Sequence, residues 1–492
     1  MAEAVSATDR SRSARATGGK QRPPVVLIGG LSLVVLTVAV LQTAVVPVLG
    51  VIATQLHASP VAVSWAVTAN LLAAAAATPL IGRLADLYSK KLVLLAVLVI
   101  VLAGSVLAAA TASVPLLIVG RVLQGASYAL YPICIAILRE ELAEDRLVGA
   151  MAVLSGTLGF GGGVGLVVTG LLMSGDAGYH RVFWLTTVFT AVVIVVAAVT
   201  VPARKPTADG SIDWLGAVGL AGGLSAVLLA ITQGNAWGWT SPAATGVLVG
   251  GTALLAGWWF WERRITHPLV STGMLTKRPI LLTNLATIFV GMGLYFAFLG
   301  LTQFVQMPAE TAGYGFGASV LQASLYFLLP GAMAGFLVAL VSGRFIDRFG
   351  ARKVLMVGAL AGIAGFVMLA LAHHRAWQVI VAGVLANAYI SLGYGALPAL
   401  VVSEVDASET GVATSMNAIA RTIGSSTAAA IVAVLLGHSV IPGEASFVTI
   451  FVAGAVTAGM AMALIAISRV PDRHRESQQG LAESRAMNHE WG

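Results

Sequence analysis

The sequence predicts an all-α integral membrane protein with fourteen transmembrane helices. Of its 492 residues, 58% are hydrophobic and only 10% are charged, so the chain has too few charges to cover a water-soluble globule of this size. Apolar runs of about 20 residues, the length that crosses a hydrocarbon layer roughly 30 Å thick, recur from Val25 almost to Val470. A β-barrel would instead show short alternating segments of about 10 residues.

Charged residues separate the apolar runs and also orient them. The fourteen candidate helices are centred near residues 36, 71, 101, 126, 160, 191, 223, 250, 291, 331, 363, 388, 424 and 457. An even number places both termini on one side of the membrane. Of the 28 lysine and arginine residues, only Arg181 and Arg375 fall in loops of the other side, while Arg121 and Arg421 fall within helices. Because basic residues are retained on the cytoplasmic side, we expect both termini to be cytoplasmic. The net charge of +7 then reflects topology, and no nucleic-acid partner is expected.

The two ends of the chain lack the apolar pattern of the spans. Residues 1–24 are polar and basic and are predicted to form a disordered cytoplasmic tail, and residues 471–492 are predicted to form a second cytoplasmic tail. The first apolar run is longer than the ~7–15-residue core of a cleavable signal peptide, so we expect it to remain as the first span.

One loop sequence occurs twice and indicates an internal duplication. It reads GRLADLYSKK from Gly82 to Lys91 and GRFIDRFGARK from Gly343 to Lys353, and it follows helices 2 and 10. If helices 7 and 8 are set aside, each copy follows the second helix of a group of six, as in two parallel six-helix repeats. We therefore expect an N-terminal bundle at 25–202, a linker with an inserted hairpin at 203–270 and a C-terminal bundle at 271–470.

The duplicated loop resembles the GxLaDrxGrkxxl signature of the major facilitator superfamily. Ser89 stands where the first copy would usually have glycine. The matching residues are Gly82, Leu84, Asp86, Lys90 and Lys91 in the first copy and Gly343, Asp347, Gly350, Arg352 and Lys353 in the second. The RVLQGASYALYP segment of helix 4 is similar to a second signature of the family, with Arg121, Gln124 and Gly125 in place. The resemblance implies the major facilitator fold, with two six-helix repeats plus an inserted two-helix hairpin.

The inserted hairpin is similar to that of the fourteen-helix drug/proton antiporter subfamily. The matching parts are Asp213, Leu215 and Gly216 at its entry, then GNAWGWTSP from Gly234 and WERRITHPLV from Trp261. Two features depart from the subfamily pattern. The Gly-Pro signature of helix 5 reads GLVVTG from Gly165 to Gly170 here, and the usual aspartate of helix 1 is Gln42. Both departures count against proton antiport, but not against the fold.

The resemblance implies a transporter that exports hydrophobic drug-like compounds by alternating access, driven by the proton gradient. The alternative is a dedicated exporter of one endogenous metabolite or lipid, with proton coupling absent or unusual. An enzyme is not expected, because the chain has no HExxH, no cysteine pair and no Walker loop. We expect no cofactor and no metal, and we expect a monomer in the inner (plasma) membrane of a bacterium. The expected partners are a small-molecule substrate, the lipid bilayer and, in the first case, protons.

The two loop copies are predicted to be gates. The resemblance implies that Asp86 lies at the N-terminus of helix 13, near Thr410, and that Asp347 lies at that of helix 5, near Leu147. A carboxylate there gains about 0.3–1 kcal/mol from the helix dipole, and up to ~2 kcal/mol when partly buried. The predicted gating residues are Gly82, Arg83, Asp86, Lys90, Lys91, Gly343, Asp347, Arg348 and Arg352. The alternative is a basic loop that only marks topology.

Polar residues form stripes on four otherwise apolar helices. An arginine near a helix centre costs roughly 2.5–3.5 kcal/mol on insertion scales, so it should face the bundle interior or water. We therefore predict a polar cavity for substrate binding or coupling, with interhelical hydrogen bonding as the alternative. The candidate residues are Gln42, Arg121, Gln124, Tyr128, Asn284, Tyr295, Asn387, Tyr394, Asn417 and Arg421.

Acidic residues are absent from the middle of every predicted span. The histidines are all predicted to lie in loops or in the tail: His57, His180, His267, His373, His374, His438, His474 and His489. Proton relays usually depend on intramembrane carboxylates or histidine, and arginine does not release its proton. A proton carrier would therefore lie at a helix end, such as Asp86 or Asp347, or be part of the substrate.

Helix 5 is rich in glycine, from Gly156 to Gly170. It lacks the GxGxxG spacing of a dinucleotide loop and does not follow a strand. Small residues four apart instead allow a second helix to approach closely. We predict helix packing, with a hinge as the alternative, for Gly159, Gly161, Gly163, Gly165 and Gly170. The single cysteine, Cys134, is interpreted as a packing residue.

Overall fold

The computed structural model describes residues 23–45, 48–173, 178–206, 211–266, 268–436 and 442–468. Within these ranges the chain is helical and contains no strand, and fourteen helices are long and apolar enough to cross a membrane. They are α1 Pro24–Thr43, α2 Pro60–Leu87, α3 Lys90–Ala110, α4 Val114–Glu141, α5 Glu144–Leu172, α6 His180–Thr200, α7 Trp214–Trp237, α8 Pro242–Glu262, α9 Arg278–Gln306, α10 Ala323–Phe349, α11 Ala351–Leu371, α12 Ala376–Val402, α13 Thr410–Leu436 and α14 Glu444–Ile467. Each predicted helix centre lies within its own helix, so the fourteen-helix prediction is confirmed.

Three of the spanning helices are not regular throughout. A 3₁₀ turn at Ala126–Ala129 interrupts α4, and π-helical turns occur at Phe296–Gly300 in α9 and at Ala323–Leu328 in α10. Such turns are frequent at functional sites. Shorter helices lie between the spans, at Leu49–Gln55, Thr272–Thr276, Ala309–Ala312, Val320–Gln322 and Ala407–Glu409.

Several predictions concern the ends of the chain and some of its loops. Residues 1–22 and 469–492 lie outside the described residues, so the two predicted tails stay predictions. The same holds for His267, His438, His474 and His489. His180 was predicted in a loop, but it is the first residue of α6. The predicted domain limits also stay predictions, although α1 begins at Pro24, next to the predicted start at residue 25.

Helix α5 lies between the two six-helix groups and packs closely on both sides. A Cβ at Gly161 would lie 2.6 Å from Leu36 of α1, and one at Gly165 would lie 2.5 Å from Thr43 of the same helix. On another face, a Cβ at Gly163 would lie 2.8 Å from Ala332 of α10. Glycine allows these close approaches because it has no side chain in the way.

The inserted hairpin connects the two six-helix groups. Gln233 of α7 donates a hydrogen bond to Thr68 of α2 over 3.1 Å, and Asn235 of α7 donates one to the Ala430 carbonyl of α13 over 3.0 Å. Helix α8 packs along α7 and has large apolar side chains such as Val249 exposed. Apolar exposure of this kind suits a helix that faces hydrocarbon.

Helices α9 and α13 approach each other backbone to backbone. A Cβ at Gly291 of α9 would lie 2.5 Å from the Arg421 carbonyl oxygen, and one at Gly424 of α13 would collide with the Ile288 carbonyl oxygen. These two contacts therefore fix the height and rotation of α13 next to α9.

The contact at Gly424 predicts a clear loss of stability for Gly424→Ala. Forcing a methyl group against backbone costs about 1–3 kcal/mol, since the two helices must separate. We expect a lower thermal unfolding midpoint in detergent, measured by intrinsic fluorescence. The control is Gly250→Ala on α8, where a Cβ would meet no atom within 4 Å. That variant should be neutral or gain up to about 1 kcal/mol from helix propensity. Equal melting of the two variants would contradict the packing argument.

Candidate cavity and gate

A cavity of about 590 Å³ lies between the two six-helix groups. Helices of both groups and the inserted α7 line it, and most of the lining is apolar. Seven of the ten residues predicted for substrate binding or coupling meet here: Gln42, Arg121, Tyr128, Tyr295, Asn387, Tyr394 and Arg421. Gly159 and Gly163 also line the cavity. Among its described lining residues there is no aspartate, glutamate, histidine or lysine.

Arg121 of α4 is 2% exposed and donates three hydrogen bonds to neighbouring acceptors. Its Nε donates to the Ala66 carbonyl over 3.1 Å, and its Nη1 donates to the Leu41 carbonyl over 3.3 Å and to Gln124 Oε1 over 2.7 Å. Among the described residues, no carboxylate forms an ion pair with Arg121. The guanidinium keeps its charge and is stabilised by carbonyl and amide dipoles. One of its acceptors, the Leu41 carbonyl, belongs to the residue before Gln42.

Arg421 of α13 has a different environment. Its guanidinium carbon lies 5.3 Å from the ring centre of Tyr131 and 4.9 Å from that of Tyr394. Tyr131 belongs to α4 and Tyr394 to α12, so Arg421 contacts both six-helix groups. A cation is attracted to the electron-rich face of an aromatic ring.

Three of the predicted residues make hydrogen bonds between helices instead of lining the cavity. Asn417 of α13 donates to Asn284 Oδ1 over 2.9 Å and to Thr287 Oγ1 over 2.8 Å, both on α9. Gln124 is fully buried between Arg121 and Ser105, and its Nε2 donates to Ser105 Oγ over 2.8 Å. For these three residues the arrangement matches the interhelical alternative.

The sequence analysis missed several polar residues of the cavity. Asn70 lines it and donates a hydrogen bond to the Arg121 carbonyl over 2.8 Å. Thr68, Gln233 and Asn235 also line it. All four are polar residues within apolar runs, and that signal is readable in the sequence. Their position on the cavity cannot be read from the sequence. For Gln233 and Asn235 the reason is that α7 stands outside the two six-helix repeats.

The end of the bundle that carries the two loop copies is called here the motif end. Asp86 lies there, in the last turn of α2, and is 0% exposed. The N–H groups of Gly411 and Val412, in the first turn of α13, donate to its two oxygens over 3.1 Å each. The carboxylate thereby satisfies two of the donors that a helix N-terminus leaves open, and it also meets the positive end of the helix dipole. The contact that the resemblance implied for Asp86 is therefore present.

Arg139, at the end of α4, adds further hydrogen bonds between the groups at the motif end. It donates to the Val405 carbonyl over 2.7 Å, to the Asp406 carbonyl over 3.3 Å and to Thr410 Oγ1 over 2.6 Å. Val405 and Asp406 belong to the segment that joins α12 to α13, and Thr410 is the first residue of α13. Sequence analysis did not single out Arg139, although it is a basic residue just before a loop.

A third link between the two six-helix groups connects α5 with α12 and involves Tyr131 of α4. Ser155 of α5 donates a hydrogen bond to the Tyr394 carbonyl of α12 over 2.7 Å, and its Oγ also lies 2.7 Å from the Tyr131 hydroxyl. Together with the Asp86 and Arg139 contacts, it joins the two six-helix groups.

The other predicted gate residues of the first copy bind mainly within their own half. Lys90 Nζ lies 2.5 Å from Glu140 Oε1, and Lys91 Nζ donates to the Ala198 carbonyl over 2.7 Å. Arg83 is half-buried, and its Nε is buried without a hydrogen-bond partner. Gly82 lies against Ser415 and the Gly411 carbonyl, so α2 and α13 touch at this point.

The second copy is arranged differently from the first. Gly343 packs against the backbone of Gly149 in α5, but Asp347 and Arg348 are exposed. Arg352 donates to the Ala466 carbonyl of α14. The structure thus places Asp347 in an exposed position, unlike the buried Asp86.

One group of side chains could hold a metal ion. His373, His374 and Glu444 have ligand atoms within 4.8 Å of one another, beyond the end of α11 and outside the cavity. His373 Nε2 and Glu444 Oε1 are 2.7 Å apart and form a hydrogen bond. This hydrogen bond is enough to account for the closeness of the two side chains. The expectation of no metal stays a prediction.

Comparison with known proteins identifies the family. The model of the Major Facilitator Superfamily matches residues 31–429 and, in a second match, residues 305–487. The chain belongs to the major facilitator superfamily. It is therefore a multi-pass membrane transporter and not an enzyme.

Two curated proteins and one solved structure illustrate the relationship. A uridine/deoxyuridine transporter of Lactococcus lactis is 29% identical over 331 residues, which are 65% of this chain and 68% of that protein. The tetracenomycin C resistance and export protein of Streptomyces glaucescens is 28% identical over 435 residues, 86% of this chain and 78% of that protein. The human organic anion transporter MFSD10 (TETRAN) superimposes with a TM-score of 0.63 at 13% identity, over 89% of this chain and all of that one. This last likeness supports the fold alone.

The Asp86 contact predicts that Asp86→Asn opens the motif end more often. The variant loses the negative charge and one of the two acceptor oxygens, and charge-assisted hydrogen bonds of this kind contribute roughly 1.5–3 kcal/mol. We expect about a tenfold faster alkylation of a cysteine placed at Ser342, which is fully buried beside Gly343. N-ethylmaleimide labelling in a Cys134→Ser background measures this rate.

The control is Asp347→Asn, because Asp347 is exposed in this conformation. It should leave the labelling rate at Ser342→Cys unchanged. Equal labelling in the parent protein and in Asp86→Asn would remove the gating role of Asp86.

Proposed function

We propose that the protein exports hydrophobic drug-like compounds by alternating access. The observation that carries this proposal is the large, mostly apolar cavity between the two six-helix groups, closed at one end by contacts between those groups. Apolar walls with a few polar groups suit binding of hydrophobic small molecules. The similarity to an export protein for an antibiotic supports the same substrate class.

The orientation follows from the charge distribution. With basic loops in the cytoplasm, the motif end faces the cytoplasm, and the cavity extends toward the outside through Leu49, Thr68 and Asn235. The arrangement then corresponds to an outward-facing state, in which a substrate is released. We place the protein in the inner (plasma) membrane of a bacterium, with both termini in the cytoplasm, as a monomer in contact with lipid.

Closure at the motif end has to be reversible for transport. The Asp86 contact with α13 is strong enough to bias an equilibrium between two states, but it does not hold the state permanently. In this proposal the gate comprises Gly82, Asp86 and Arg139 against the start of α13.

Proton coupling is the driving force that we propose. The described lining of the cavity contains no group that titrates near neutral pH, so the cavity itself is not the proton site. Asp86 is a buried carboxylate that itself forms a contact between the groups. Its protonation would weaken the closure of the motif end. Proton binding and gate opening would then be the same event.

A dedicated exporter of one endogenous metabolite or lipid, with coupling absent or unusual, is the second candidate. The missing carboxylate in the cavity favours it. The similarity to a nucleoside transporter favours a single substrate in the same way.

Transport into liposomes with an imposed pH gradient separates the two candidates. For the multidrug exporter, we expect several hydrophobic dyes to move and their rates to fall at least tenfold when a protonophore collapses the gradient. Arg121→Ala should abolish movement of all dyes, because it removes the hydrogen bonds that join α4 to the carbonyls of Leu41 and Ala66 beside the cavity. Transport that ignores the gradient would exclude proton coupling, and transport of one compound alone would exclude the multidrug exporter.

A further inference from the structure

The cavity has an unusual charge composition for a site expected to bind drugs. Its charged side chains are Arg121 and Arg421, and no acidic side chain occurs among its described lining residues. Arginine stays protonated in proteins. The cavity thus carries positive charge that no carboxylate of its lining neutralises.

The two arginines differ in how many of their donors are free. Arg121 donates three hydrogen bonds, to two carbonyls and to Gln124, and its side chain is buried. Arg421 is half-buried, and among the described residues it forms neither a hydrogen bond nor an ion pair. Its contacts are with two ring faces, which attract the cation but accept none of its N–H groups in the way an oxygen does.

The position of Arg421 is fixed by the fold. The close contact of α9 and α13 holds the backbone at Arg421, against Gly291, and about one turn further along α13 at Gly424. The rings of Tyr131 and Tyr394 hold the guanidinium between the two six-helix groups. A half-buried cation with free donors and a fixed position is prepared to bind an anion, since no side chain has to be moved or displaced.

We propose that Arg421 binds the anionic group of the substrate, and that the substrates are hydrophobic compounds with one carboxylate or sulfonate. A carboxylate pairs with guanidinium through two parallel hydrogen bonds, which gives both affinity and orientation. The apolar part of the compound lies along the apolar walls near Phe298 and Leu301. Cationic compounds of the same shape are repelled. The inference rests on the proposed function, because it takes this cavity as the substrate site.

The test uses two probes of equal shape, 1-naphthaleneacetate and its neutral amide, 1-naphthaleneacetamide. Equilibrium dialysis against the purified protein in detergent measures their dissociation constants. We expect the carboxylate to bind at least tenfold more tightly, as the loss of a charge-assisted hydrogen bond predicts. Equal affinities for the wild-type protein overturn the proposal, whatever the variants do.

Three variants locate the effect. Arg421→Gln should bring the carboxylate to the affinity of the amide, with the amide itself unchanged, and Arg421→Lys should keep part of the preference. The control is Arg263→Gln: Arg263 lies over a ring of Trp259 at 5.3 Å, as Arg421 lies over its tyrosines, but it is exposed and outside the cavity. It should bind like the wild type. A preference for the carboxylate that survives in Arg421→Gln overturns the role of Arg421.

Binding and transport together distinguish this proposal from the proposed function. If neutral dyes are exported and the carboxylate has no advantage in binding, the export function stands and the anion site fails. If the carboxylate binds through Arg421 but no compound moves across liposomes, the anion site stands and the export function fails.

Discussion

Hydrocarbon offers no hydrogen-bond partner, so every polar group within the spans must find one inside the protein. Arg121 and Asp86 both meet this demand, in different ways. Arg121 is surrounded by carbonyl and amide oxygens of its neighbours, and Asp86 takes two backbone N–H groups of α13. The arrangement of the helices around the cavity depends on these contacts. Arg421 forms no hydrogen bond among the described residues, and we place a ligand there.

The two loop copies are nearly the same in sequence but differ in their contacts. The first buries its aspartate against a helix N-terminus, while the second leaves its aspartate exposed. The two copies therefore differ in the burial of their aspartates, although their sequences are similar. The glycine contacts at Gly82 and Gly343 allow the helices to touch in either case.

The inserted hairpin has a larger part in the structure than its position outside the repeats suggests. Through Gln233 and Asn235, α7 is bonded to α2 of one six-helix group and to α13 of the other. It also contributes four residues to the cavity lining, Thr232, Gln233, Asn235 and Ala236. Any rocking motion of the two groups must therefore carry or bend α7. The shape of the cavity is therefore set by three units of the fold, the two six-helix groups and the inserted hairpin.

The sequence by itself determined the membrane class, the fourteen helices, the duplication and the family. These depend on local properties: the length of apolar runs, the position of charges and short motifs. It also identified seven of the polar residues that line the cavity, because a polar side chain in an apolar helix tends to face inward.

Only the tertiary structure decided which inward-facing residue meets a neighbour and which meets the cavity. Asn284 and Tyr295 lie on one stripe of α9, yet the first bonds to α13 and the second lines the cavity. The tertiary structure also decided that Asp86 is buried and that Asp347 is exposed. The physical reason is that a stripe defines a direction from the helix axis, while the partner it finds depends on how closely, and at what height, another helix approaches.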